Sequence, residues 1–87
     1  MATKVCKYYL PIRRNIEVNI FGRILSADIL NKELCLWAEH NDNVPPKRVL
    51  INVLLTDEEA PEDQHLYAFV NTVIQNGYVM HVFYKYT

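Results

Sequence analysis

Glycine is scarce in this chain: Gly22 and Gly77 are the only two among 87 residues. A loop that cradles phosphate needs several glycines close together, so that backbone N–H groups can approach the anion. Nucleotide fingerprints of that kind are therefore excluded. Cysteine is equally sparse, at Cys6 and Cys35, and the three histidines (His40, His65, His81) are scattered. They fit no finger or ribbon spacing, so no metal is expected. In a cytosolic setting the two thiols are expected to be reduced and buried. No apolar run is long enough to span a bilayer. No apolar signal-peptide core follows Met1-Ala2-Thr3-Lys4, which points to the cytoplasm. The net charge of −1 lacks the basic footprint that duplex nucleic acid requires. Catalytic signatures are missing too. There is no Gly-x-Ser-x-Gly, and the acidic cluster Glu58, Glu59, Glu62, Asp63 lies between strands, where it reads as a solvated loop. No enzyme activity and no cofactor are expected.

Hydrophobic residues make up 51% of the chain, generous for its size, and the surplus suggests self-association. One domain over residues 1–87 is expected. Lys4–Ile12 alternates, with Cys6, Tyr8, Leu10 and Ile12 on one face and Val5, Lys7 and Tyr9 on the other; Pro11 marks an end or an edge. Ile16–Phe21 repeats the pattern, with Ile16, Val18 and Ile20 inward, until Gly22 breaks or bends it. A two-residue turn at Asn31-Lys32 pairs Ser26 with Trp37 and Asp28 with Cys35. It puts Leu25, Ala27, Ile29, Leu34, Leu36 and Ala38 in the core. Lys47–Thr56 is almost continuously apolar, interrupted by Asn52, and reads as a central strand. Asn76-Gly77 sits between two β-rich runs and is a strong hairpin signal, because a type I′ turn needs positive φ at both positions. The hairpin register pairs Gln75 with Tyr78, Thr72 with His81, Val70 with Phe83, and Phe69 with Tyr84. One face then reads Leu66, Ala68, Val70, Thr72, Ile74, Val79 and Phe83, the expected core side. His81 belongs to that side as a hydrogen-bonded structural residue. The other face collects Tyr67, Phe69, Asn71, Met80, Val82, Tyr84 and Tyr86. The fold expected is all-β: a small antiparallel sandwich or partly open barrel of six to seven strands with a C-terminal Asn-Gly hairpin.

Nucleobases stack on aromatic faces, and phosphates take arginine or lysine. Candidate residues for such binding are Tyr8 and Tyr9, followed by Arg13 and Arg14; Trp37 among polar neighbours; Arg48 behind two prolines; and Tyr67, Asn71 and Tyr84 on the hairpin. Each has a bland alternative: Tyr8 as core, Arg13-Arg14 as a solvated turn, the hairpin aromatics as a subunit interface.

Three ordered segments carry a resemblance: Lys7-Tyr8-Tyr9-Leu10-Pro11-Ile12; Ile24-Leu25-Ser26 running on to Leu34-Cys35-Leu36-Trp37-Ala38; and His81-Val82-Phe83. Together they resemble a family of small proteins from tailed bacteriophages and bacteria, and within it the T-even phage anti-CBASS type. Many members carry a Gly-Thr-Gly-His-like segment after the central strand, where this chain reads Leu54-Leu55-Thr56-Asp57. The resemblance implies a sponge in the host cell cytoplasm that sequesters a cyclic dinucleotide such as 3′,3′-cGAMP without cleaving it. It also implies a homo-oligomer, for instance a hexamer built from dimers. The alternative is a phage protein that inhibits a host factor by direct binding.

Overall fold

Two turns close the local hairpins. In the computed structural model, which describes residues 3–87, Asn31 and Lys32 adopt φ of 52° and 68°, and Asn76 and Gly77 adopt 51° and 81°. The first pair joins β3 (Ile24–Leu30) to β4 (Glu33–His40). The second joins β6 (Ala68–Gln75) to β7 (Tyr78–Tyr86). Long-range pairing adds β1 (Lys4–Leu10), β2 (Ile16–Ile20) and β5 (Lys47–Leu55); a short 3-10 turn spans Gln64–Leu66. All pairings are antiparallel. They form a three-stranded sheet in the order β1-β4-β3 and a four-stranded sheet in the order β2-β5-β7-β6. The two sheets pack face to face as an all-β sandwich, not a closed barrel. Among the described residues no helix is long and apolar enough to cross a membrane.

The core lies between the sheets. The three-stranded sheet supplies Leu10, Ala27, Leu34, Leu36 and Ala38, with Tyr8, Ile24 and Ile29 packed against them. The four-stranded sheet supplies Ile16, Ile20, Val49, Ile51, Val53, Val73, Met80 and Val82, backed by Val18, Val70 and Tyr84. Burying each large aliphatic side chain contributes about 1.5–3 kcal/mol. Along one side the sheets are stitched by side chains: Asn71 Nδ2 donates to the Ala27 carbonyl at 2.8 Å, and Gln75 Nε2 to the Lys32 carbonyl at 2.7 Å. On the other side β1 and β2 end their sheets.

Several expectations hold. The alternation of β1 and β2, the Ser26–Trp37 and Asp28–Cys35 pairs, and β5 as an inner strand all appear. Both cysteines are free, Cys35 fully buried and Cys6 half-buried. Leu25 does not join the core. A bulge between Ile24 and Ser26 turns it out to 41% exposure, and Ile24 packs inward instead.

The C-terminal hairpin needs the larger correction. Its turn and the pairs Gln75–Tyr78 and Thr72–His81 are as expected. A bulge between Phe69 and Asn71 then shifts the register, so Phe69 meets Phe83 and Ala68 meets Tyr84. The faces are also inverted, except that Val70 packs on the core as expected. Met80, Val82 and Tyr84 point into the core, whereas Ile74 (68% exposed), Phe69 and the ring of Phe83 lie on the outer side. Tyr67, Phe69, Tyr84 and Tyr86 therefore share no single face. His81 is outside as well, held between Thr72 Oγ1 (2.9 Å from Nδ1) and Thr56 Oγ1 (2.8 Å from Nε2).

That outer side is partly covered, which explains two buried residues. Asn52 and Leu54 alternate with the core residues Ile51 and Val53, so they point outward, yet they are 1% and 5% exposed. The 11–15 connection lies along β5: Val53 N–H donates to the Arg13 carbonyl at 3.1 Å, and Asn15 N–H to Asn52 Oδ1 at 2.7 Å. An acidic strap, residues 57–63, is tied down at both ends. Arg14 pairs with Glu58 at 3.3 Å and donates to the Glu59 carbonyl. Lys85 meets Asp63 at 2.8 Å.

Candidate functional site

On the outer face of the three-stranded sheet, strand alternation brings Val5, Lys7 and Tyr9 of β1 beside Cys35 and Trp37 of β4, then Ser26 and Asp28 of β3. The register sets Lys7 and Ser26 on either side of Trp37, and Tyr9 and Asp28 on either side of Cys35. Lys7 Nζ stands 4.7 Å from the centre of the Tyr9 ring. The Tyr9 side chain holds the Lys7 ammonium above its ordinary pKa of 10.5, so the cation is secure at neutral pH. Tyr9 is 58% exposed and Trp37 half-buried, leaving both available to a ligand laid on the sheet. Tyr9 also borders an open hollow of about 770 Å³, between Leu10, Pro11 and Ile12 on one side and Lys32, Glu33 and Leu34 on the other. That size falls within the range of small-molecule sites. This face therefore offers two aromatic surfaces, with Lys7 beside them and Lys32 across the hollow.

The other expected binding residues lie elsewhere. Tyr8 faces inward, and burial pushes its phenol pKa above 10.0. Arg13 is exposed and bonds to the Arg14 carbonyl at 3.3 Å. Arg14 is engaged by the acidic strap. Asn71 spends its amide on the Ala27 carbonyl. Arg48 sits near the far end of the four-stranded sheet, 3.9 Å from Glu17, its Nε donating to Thr87 Oγ1 at 3.2 Å. Nearby, Tyr84 packs edge-on to Tyr86 at 5.6 Å, with Lys47 over the Tyr86 ring at 5.2 Å. Tyr67 carries Lys85 over its ring at 5.0 Å. A smaller hollow of about 390 Å³ opens beside Leu66, Ala68, Tyr84, Lys85 and Tyr86. Of the nine expected residues, the structure brings Tyr9 and Trp37 together on the one sheet face. The cations that accompany them, Lys7 and Lys32, were not anticipated. Lys7 was legible, since two residues along a strand return to the same face; Lys32 was hidden in a turn.

Among the described residues no group of three His, Cys, Asp or Glu side chains could hold a metal. Fold and face together define a small two-sheet β-sandwich domain with an aromatic and cationic outer surface. The chain belongs to the family described as a domain of unknown function (DUF7352), which matches it over residues 1–87. No curated protein and no solved structure matches it.

Proposed function

We propose that this protein is a non-enzymatic sponge of phage origin. It binds a cyclic dinucleotide such as 3′,3′-cGAMP in the host cytoplasm, blunts CBASS-type signalling, and works as a homo-oligomer built from dimers, up to a hexamer. The observation that carries this reading is the grouping of Lys7, Tyr9 and Trp37 on one open sheet face. Stacking contributes about 1–3 kcal/mol per base. A charge-assisted hydrogen bond to phosphate adds about 1.5–3 kcal/mol. Two of each supply about 5–12 kcal/mol before the cost of association, which at its upper end suits micromolar binding. The sequence resemblance supplies the ligand class; the face supplies suitable chemistry.

Calorimetry against a panel of cyclic di- and trinucleotides tests the proposal, followed by recovery of the ligand from heated protein. Intact nucleotide is expected, and Trp37→Ala should weaken binding at least tenfold while the fold persists by circular dichroism. Linearised product would make the protein an enzyme, and indifference to the whole panel would end the nucleotide reading. A second reading draws on the opposite sheet, where Phe69, Ile74 and Tyr78 are each more than half exposed. Such a surface suits direct inhibition of a host protein, and it gains if no nucleotide binds.

A further inference from the structure

Among the described residues β1 is hydrogen-bonded to β4 alone, so the other edge of this seven-residue strand carries backbone groups with no strand partner there. Such an edge is a template for another strand. Antiparallel pairing of β1 with itself has greatest overlap when centred on its middle residue, Lys7. Lys4 then meets the partner's Leu10, Val5 meets the partner's Tyr9, Cys6 meets the partner's Tyr8, and Lys7 meets the partner's Lys7. Val5 and Tyr9 are 61% and 58% exposed in the single chain, and a β-branched residue opposite an aromatic is a favourable cross-strand pair. Two like charges directly opposite are not. Seven residues a side is also well short of the roughly 20–30 that a stable interface uses. The edge is thus self-complementary except at its centre, and what the centre lacks is an anion.

We propose that two copies join β1 to β1 about a two-fold axis through Lys7, and that a cyclic dinucleotide bridging the two Lys7 ammoniums holds the pair together. This deepens the nucleotide-binding reading and rests on it. The row through the axis then runs Ser26, Trp37, Lys7 and the same three residues of the partner in reverse. At about 4.8 Å per strand the two Trp37 positions lie about 14 Å apart. The two phosphates of the ring sit over the lysine pair, and a base reaches toward a tryptophan on each side. A two-fold site gives each half of a pseudo-symmetric ligand the same residues.

The test measures mass by sedimentation and stoichiometry by calorimetry, with 3′,3′-cGAMP, on the wild-type and Lys7→Ala chains. The expected result is a doubling of the unliganded mass at one nucleotide per two chains. The Lys7→Ala chain, relieved of the like charges but still limited by its short edge, should pair weakly without nucleotide, at high protein concentration, and gain nothing from its addition. One nucleotide per chain at unchanged mass overturns the shared site while leaving nucleotide binding intact. A folded Lys7→Ala chain that never pairs overturns the edge contact. A Lys7→Ala pair with no nucleotide bound by the wild type overturns the bridging role and the nucleotide reading together.

Discussion

Replacing Asn52 with alanine should cost far more than a polar-to-alanine change on a sheet exterior normally does. Asn52 points away from the core, yet it is 1% exposed and its Oδ1 accepts the Asn15 N–H at 2.7 Å. Asn15 itself is held at a positive φ of 56°, so its N–H is aimed by the backbone and has little freedom to find another acceptor. Alanine removes the acceptor of this part-buried bond, at about 1–3 kcal/mol. The space vacated by the amide adds to the loss. A total of about 2–4 kcal/mol is expected. At roughly 4–8 °C per kcal/mol for a domain of this length, the melting temperature should fall by about 8–32 °C. Calorimetric melting and urea titration of the two proteins measure it. Asn15→Gly is the control: it keeps the N–H, relaxes the positive φ, and should change stability by less than about 1 kcal/mol. If Asn52→Ala melts within 3 °C of the wild type, the idea that the 11–15 connection is pinned to β5 through this amide is wrong.

The two glycines should respond to alanine in the reverse of the order their settings suggest. Gly77 is in the left-handed region at 81° with open space around it, so the substitution costs about 1–2 kcal/mol of backbone strain. A Cβ at Gly22 would lie 2.8 Å from the Glu39 carbonyl carbon and nearer still to its oxygen, so the β2–β3 connection must part from β4 and urea stability should fall further. The ion pair at the end of the strap predicts a pH window. Hydrogen bonding to Lys85 holds the Asp63 carboxyl below its ordinary 3.8, so the contact is fully present above that value and is lost as pH falls through the lowered one. Lys85, raised above 10.5 chiefly by its hydrogen bond to Asp63, keeps its share below 10.5 and loses it as pH rises through the raised value. Hydrogen-exchange protection across residues 57–63, taken relative to the intrinsic amide rate at each pH, should therefore fall at both extremes and stay high between, and Lys85→Ala should abolish the contrast.

Where local chemistry dictates geometry, the sequence was readable. Asn31-Lys32 forms the turn that pairs Ser26 with Trp37, and strict alternation in β1 and β2 assigns their inner faces. The reading failed at β7, where Val79 and Phe83 compete with Met80 and Val82 and both sets are apolar. Periodicity cannot choose between two hydrophobic faces. The choice was made by the pairing of β7 with β5, which sets Val82 and Tyr84 beside the core residues Val53 and Ile51, and by the amide of Asn71 reaching Ala27 across the sandwich, contacts with no local signature. Arg14 failed for a related reason. Nothing between positions 14 and 58 announces that an acidic segment will neutralise this cation. Trp37 was placed well because its turn was, and Tyr9 because its strand alternates.

The interleaved strand order also bears on how the chain acquires its shape. β3–β4 and β6–β7 are neighbours in sequence and can close within microseconds. β1 must wait for β4, across β2 and β3, and β2 for β5, across β3 and β4. Loop closure on that scale slows folding toward the millisecond-to-second regime of non-local β topologies. During synthesis β1 therefore emerges unpaired until β4 is made, and β2 until β5 is made, so the three-stranded sheet can close before the strands that complete its partner exist.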